Sequence, residues 1–179
     1  MKLILGIDPG LASTGYGLVR ADGTSLSHVF HGVISTSSKQ STGDRLKRLY
    51  EQLCDIIDHY SPQSAGVESL YFAKNISSAI PVAQARGVTL LALAQRNVVA
   101  EEYPPQAIKQ AIVGQGRAEK AQVQELVRML LGLQEIPGPD HAADALAAAI
   151  CHFNTQAIDT RLGRTASDTV SDQTTRGER

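Results

Sequence analysis

Lys2-Leu3-Ile4-Leu5-Gly6-Ile7-Asp8-Pro9-Gly10 sets an almost unbroken apolar run directly before an acid and a Pro-Gly pair. That is the pattern of a buried strand ending on a carboxylate at a turn. Two further strands are expected outward from it, Tyr16 to Arg20 and Ser25 to Ser35, joined by Ala21-Asp22-Gly23-Thr24 with its Asp-Gly hairpin signal. The sheet therefore opens antiparallel. From Thr42, read as an N-cap, Leu46, Leu49, Leu53, Ile56, Ile57 and Tyr60 recur at helical spacing until Ser61-Pro62 stops them. Ser64 to Glu68 gives a fourth strand, and Ser77 to Arg96 a long helix with Pro81 in its first turns. This helix is apolar around more of its circumference than one sheet face uses, so a second copy of the chain is expected to cover the remainder. Val98 to Tyr103 supplies a fifth strand, followed by helices over Gln106 to Val113, Glu119 to Leu131 and His141 to Phe153.

Three antiparallel strands, a helix, then strands alternating with helices favour a ribonuclease-H-like α/β architecture over a doubly wound parallel sheet. The expected fold is a mixed five-stranded sheet flanked by helices. Beyond about Thr155 apolar periodicity stops, which assigns residues 1–155 to one domain and 156–179 to a disordered tail. The 179 residues, 42% of them apolar, suffice for one core. Cys54 and Cys151 form no CxxC pair and sit in apolar helical patterns, which excludes a disulfide framework or a thiolate zinc site. The first apolar run is too short for a signal core or a membrane span, so a cytoplasmic location without membrane contact is expected. The formal charge is −1, but setting aside three acids treated next leaves +2 on the rest.

Those acids are Asp8, Glu68 and Asp144. Asp8 ends the first strand beside a glycine-rich turn, Pro9 to Gly15, and is either a metal ligand or a cap of that turn. Glu68 ends the fourth strand, where parallel pairing brings it beside Asp8. In Pro139-Asp140-His141-Ala142-Ala143-Asp144, residues 141 and 144 share a face, as do 140 and 144, and Asp140 is either the N-cap of the last helix or a further acid beside Asp144. An acid one turn into a helix of alanines has no obvious role without a partner. Hard oxygen ligands converging from two strand ends and a helix start are suited to holding divalent cations for phosphoryl transfer.

Several separated stretches carry a resemblance. Gly6-Ile7-Asp8-Pro9-Gly10 with Thr14-Gly15-Tyr16-Gly17, Glu68 followed by Ala73-Lys74-Asn75, and Gln84-Ala85-Arg86-Gly87 are three of them. Lys109-Gln110 with Val113-Gly114, Ala118-Glu119-Lys120, and Ala142-Ala143-Asp144-Ala145-Leu146-Ala147 complete the series. In order and spacing, from Lys2 to His152, the chain resembles the RuvC Holliday-junction resolvases. The resemblance implies a homodimer that makes paired symmetrical nicks in four-way DNA junctions during recombination and repair. It also implies dependence on Mg2+, two ions per subunit, and a link to the RuvA-RuvB branch-migration complex. The family's catalytic and metal-binding positions fall on Asp8, Glu68, His141 and Asp144. Many members have Asp where this chain has His141. A neutral imidazole is a softer ligand than a carboxylate, so Mn2+ is expected to substitute for Mg2+, unless His141 serves instead as general base.

DNA contacts are expected from Tyr71 and Phe72, which can stack on opened bases, with Lys74 beside them. Lys109, Arg117 and Lys120 flank the Gly114-Gln115-Gly116 turn and can neutralise phosphates. This turn lacks the Lys-Ser/Thr ending of a P-loop, so nucleotide hydrolysis is not implied. His28, His31, His59 and His152 have no acid at ligand spacing and read as structural. The competing class is a non-catalytic junction-binding module of the same fold, disfavoured because clustered acids repel DNA unless metals neutralise them. A sugar-kinase or actin-like phosphotransferase needs a second such domain, for which this length has no room.

Overall fold

The computed structural model describes residues 1–69 and 76–161. Five strands, β1 (Lys2–Asp8), β2 (Ser13–Asp22), β3 (Ser25–Ser35), β4 (Ser64–Glu68) and β5 (Val99–Tyr103), form one sheet in the order β3-β2-β1-β4-β5. The helices are α1 (Thr42–Tyr60), α2 (Ile76–Gln95), α3 (Pro105–Val113), α4 (Lys120–Leu130) and α5 (Asp140–Arg161). β1 pairs antiparallel with β2 and parallel with β4, so the expected mixed sheet is the observed one. Gly23, at φ 59°, makes the β2-β3 hairpin. Ser41, not Thr42, caps α1: its hydroxyl accepts the Asp44 amide at 3.2 Å and donates to the Asp44 carboxylate at 2.6 Å. A hydroxyl one residue before the first helical φ/ψ reaches the third amide, which Thr42, already in the helix, does not.

Because side chains alternate across a strand, the sheet supports two cores. On one face Leu5, Ile7, Leu18, Ala65 and Val67 pack against Leu49, Leu53 and Ile57 of α1 and Ala85, Ala92 and Leu93 of α2. On the other, Ile4, Val19 and Tyr103 meet Ile108, Val123, Val127 and the alanine-rich α5. Ile80 and Leu91 of α2 remain about half exposed, at 53% and 51%, as the surplus apolar circumference of that helix requires. Arg86 of α2 grips Glu102 of β5 with two hydrogen bonds, and Arg96 grips Asp58 of α1 at 2.8 and 2.9 Å.

The placement of α5 decides the site. A Cβ on Gly15 would lie 1.8 Å from the His141 carbonyl oxygen, one on Gly6 1.9 Å from that of Ala145, and one on Gly66 2.6 Å from that of Ala148. Glycines on three strands thus let the helix backbone rest directly on the sheet. Gly15 is read from sequence as the end of a turn, but β2 already begins at Ser13 and Gly15 pairs with Asp8. The helix also runs to Arg161, so the boundary expected near Thr155 falls inside it; Gln156, Ala157 and Ile158 continue the helix despite the loss of apolar periodicity. Residues 162–179 lie outside the described part. No helix among the described residues is long and apolar enough to cross a membrane.

Candidate active site

Ile7 pairs with Val67 across the parallel β1-β4 ladder, so the next residues, Asp8 and Glu68, stand on adjacent strand ends. The glycine contacts then set the first turn of α5 over the same edge. His141 Nδ1 lies 2.7 Å from Asp8 Oδ2. One ligand atom each from Asp8, His141 and Asp144 falls within 4.8 Å of the other two. His141 is open to solvent while Asp8 and Asp144 are half-buried, so the group is accessible from outside yet poorly hydrated on its inner side.

The electrostatics show a site short of positive charge. Burial, then the neighbouring Asp8 and Asp144 carboxylates, push the Glu68 carboxyl up to about 8. Burial also raises Asp8, against the opposing hydrogen bond and charge of His141. Among the described residues, the cation bonded to this group is Lys120, whose Nζ donates to Asp144 Oδ2 at 3.1 Å and lies 3.1 Å from Asp140 Oδ2. Burial draws the Lys120 ammonium downward, but its bonds to Asp144 and Asp140 outweigh that and hold it above the usual lysine range. Carboxylates and one imidazole crowded around incomplete charge compensation fit a divalent cation, which accepts oxygen ligands and removes the repulsion at once.

Asp140 is not part of this group. It is the first residue of α5, exposed, and tied to α4 through Lys120 and through Gln124, which donates to it at 3.1 Å. Those two bonds hold its carboxyl below the usual range, Lys120 contributing most.

Glu68 and Asp144 form one wall of a cleft of about 200 Å³, closed by Pro105, Ile108, Val123 and Ala147 and lined by Lys109 and Lys120. Two expected phosphate-binding lysines therefore meet the acids in one cleft. Arg117 is exposed on the α3-α4 connection and does not line it. Tyr71, Phe72 and Lys74 lie outside the described residues.

One polar cluster behind the site is invisible in local spacing. His152 of α5 is fully buried; its Nδ1 is 2.9 Å from the Tyr103 hydroxyl, which donates to Glu101 at 2.7 Å, and Glu101 is 4.0 Å from the ring. Its acid partner comes from β5, far off in sequence, and the only sequence signal was a histidine inside an otherwise apolar helix. Tyr103 pairs with Glu68 across β4 and β5, so this cluster braces the strand that carries Glu68.

The family described as crossover junction endodeoxyribonuclease RuvC matches residues 4–152. A Treponema pallidum protein of that name is 55% identical over 154 residues, covering 86% of this chain and 79% of the relative. One from Pseudothermotoga lettingae is 46% identical over 160 residues, covering 89% and 99%. The structure of T. thermophilus RuvC in complex with Holliday junction substrate superposes with a TM-score of 0.85 at 32% identity, covering 89% of this chain and 98% of that one. With its mixed sheet, its α5 seated on glycines and its acids gathered at one sheet edge, this chain belongs to the RuvC family of crossover junction endodeoxyribonucleases.

Proposed function

We propose that this chain is a structure-selective endonuclease that resolves four-way DNA junctions. The observation that carries the reading is the convergence of Asp8, His141 and Asp144 within 4.8 Å, beside Glu68 and a lysine-lined cleft. Family membership supports divalent-metal use. We assign Mg2+, two ions per subunit, with Mn2+ as a competent substitute, to Asp8, Glu68, His141 and Asp144. When bound, such ions acidify a water and offset charge on the phosphate under attack.

The protein's own groups do the rest. Asp8 and Glu68 are fixed by the β1-β4 ladder, and His141 and Asp144 by α5, so ligand positions are set before DNA arrives. His141 Nδ1 is held by Asp8, which orients the ring and assigns Nε2 the role of ligand or of acceptor of the water proton. Lys109 and Lys120 would draw a phosphate toward the acids, and Lys120 neutralises Asp144 where a divalent ion would otherwise be held. Arg117 extends the phosphate track, and Tyr71, Phe72 and Lys74 are assigned to bases and backbone near the crossover. Hydrolysis on these lines leaves 5'-phosphate and 3'-hydroxyl ends.

A junction is close to two-fold symmetric, so two copies related by a C2 axis present one site to each of two opposed strands. The half-exposed Ile80 and Leu91 face of α2 supports a homodimer through that helix. The RuvA-RuvB complex is the proposed functional neighbour.

The test compares wild type with Asp8→Asn on a synthetic four-way junction and on linear duplex, with Mg2+ or Mn2+, reading binding and nicking separately. Paired nicks confined to the junction, lost in Asp8→Asn while binding persists, are expected. Tight junction binding with no nicking under either metal would make the chain a binding module.

A further inference from the structure

The β2-β3 ladder contains a bulge. Leu18 pairs with Phe30 and Val19 with His28, so Val29 has no counterpart, and Gly17 pairs with His31. In an unbroken strand, residues three apart point to opposite faces; one extra residue between them returns both to the same face. That face is the one covered by α5, since Val19 packs in its core and Gly17 abuts Leu146. The two imidazoles meet there, with His28 Nε2 and His31 Nδ1 2.7 Å apart, ring centres 4.8 Å apart and planes at 64°.

Only one proton fits between two nitrogens at that distance, so one ring donates and the other presents its lone pair. Burial, then the charge of His31, hold His28 below the ordinary histidine range, which favours its neutral, ligand-competent form. Both rings are only half-buried, and β3 is an edge strand, so solvent reaches them. The whole width of β2 separates them from β1 and Asp8.

We propose that His28 and His31 form a second metal site, specific for a divalent transition-metal ion of square-planar preference, Cu2+ foremost. Two imidazole nitrogens in cis positions on such an ion, each at about 2.0 Å, stand about 2.8 Å apart, close to the observed separation; a tetrahedral ion spreads them to about 3.3 Å. On binding, the donor ring moves its proton to its other nitrogen, and both rings turn their lone pairs to the ion, so no net charge is lost from the pair. Water completes the coordination, because the only group of three or more ligand side chains among the described residues is the one at Asp8. With no carboxylate in it, the site has little to offer Mg2+. The two sites thus divide cations by softness, hard ions at the sheet end and soft ions on the edge strand.

The test adds Cu2+ to the full chain in excess Mg2+ and follows binding by calorimetry and electron paramagnetic resonance, with His28→Gln, His31→Gln and the double variant. One tight equivalent with two equatorial imidazole nitrogens is expected, together with at least a tenfold loss of affinity in each single variant. Cu2+ should raise the Tm of wild type but not of the double variant. The nitrogen count, taken on wild type, reports on the site even where a variant folds poorly. A wild-type spectrum with fewer than two imidazoles, or unchanged affinity in the double variant, overturns the proposal.

Discussion

Gly15 and the carbonyl of His141 are in direct contact across the helix-sheet interface: a Cβ on the glycine would stand 1.8 Å from that oxygen. A methyl there cannot be absorbed by a side-chain rotation, because the neighbour is backbone. Gly15→Ala should therefore lift the first turn of α5, costing about 1–3 kcal/mol of stability and, through displacement of His141 and Asp144, roughly 100-fold in nicking. Gly17→Ala meets the Leu146 side chain at 2.7 Å and the nearest backbone atom only at 3.0 Å, a looser fit than at Gly15, so it should lose less of both. Melting temperatures and single-turnover nicking rates, compared between the two, check this; equal effects would remove the glycine seat from the account of the site.

His141 is the one nitrogen donor in the group with Asp8 and Asp144. Its exchange for a carboxylate hardens the ligand set. We expect wild type to nick at least as fast with Mn2+ as with Mg2+, and His141→Asp to shift that ratio toward Mg2+ by a factor of about 3–10. Rates at saturating concentrations of each ion decide it. A ratio unmoved by the substitution would instead favour His141 as proton acceptor.

Lys109 lines the cleft and Arg117 lies outside it, yet both are assigned to phosphates. Replacing either by Met should weaken junction binding and lower the slope of log affinity against log salt by about one unit. Only Lys109→Met should also slow nicking of bound junction. Filter binding across a salt series and single-turnover cleavage separate the two effects.

His152 sets a pH dependence of stability. Burial holds its protonation below the ordinary histidine range, outweighing the opposite pull of Glu101. Below about pH 6.5 an unfolded chain takes up a proton that the folded one refuses, so stability falls as pH drops through that value. His152→Gln, which keeps a hydrogen-bonding side chain near Tyr103, should flatten the decline between about pH 6.5 and 5. Urea denaturation at several pH values measures it, and an unchanged slope would place the acid sensitivity elsewhere.

What can be read from the chain follows from the range of the interaction involved. β1 and its terminal Asp8 are legible because an apolar run, an acid and a Pro-Gly pair are neighbours in sequence, and the parallel partner carrying Glu68 follows from strand order. His141 and Asp144 are legible as a pair because three residues bring side chains to one helix face. The seating of α5 is not, since Gly15 beside a Pro-Gly turn looks like part of that turn until a helix 126 residues away is laid on it. Asp140 is drawn toward α4 by Lys120 and Gln124, whose proximity is tertiary, and so stands apart from Asp8, His141 and Asp144. The meeting of His28 with His31 depends on one extra residue in a ladder, which alternation counted along β3 alone cannot reveal.

Helix α5 begins at the acids and continues for 22 residues to Arg161, a run of about 33 Å at 1.5 Å per residue. Its two ends therefore sit at opposite poles of a small domain. A fluorophore or fusion partner attached at the Arg161 end would lie a helix length from the acids, whereas one placed at Asp140 would stand beside them. The same separation gives distance-based labelling a built-in ruler: a donor at the far pole and an acceptor on a junction arm would read the orientation of the bound DNA directly.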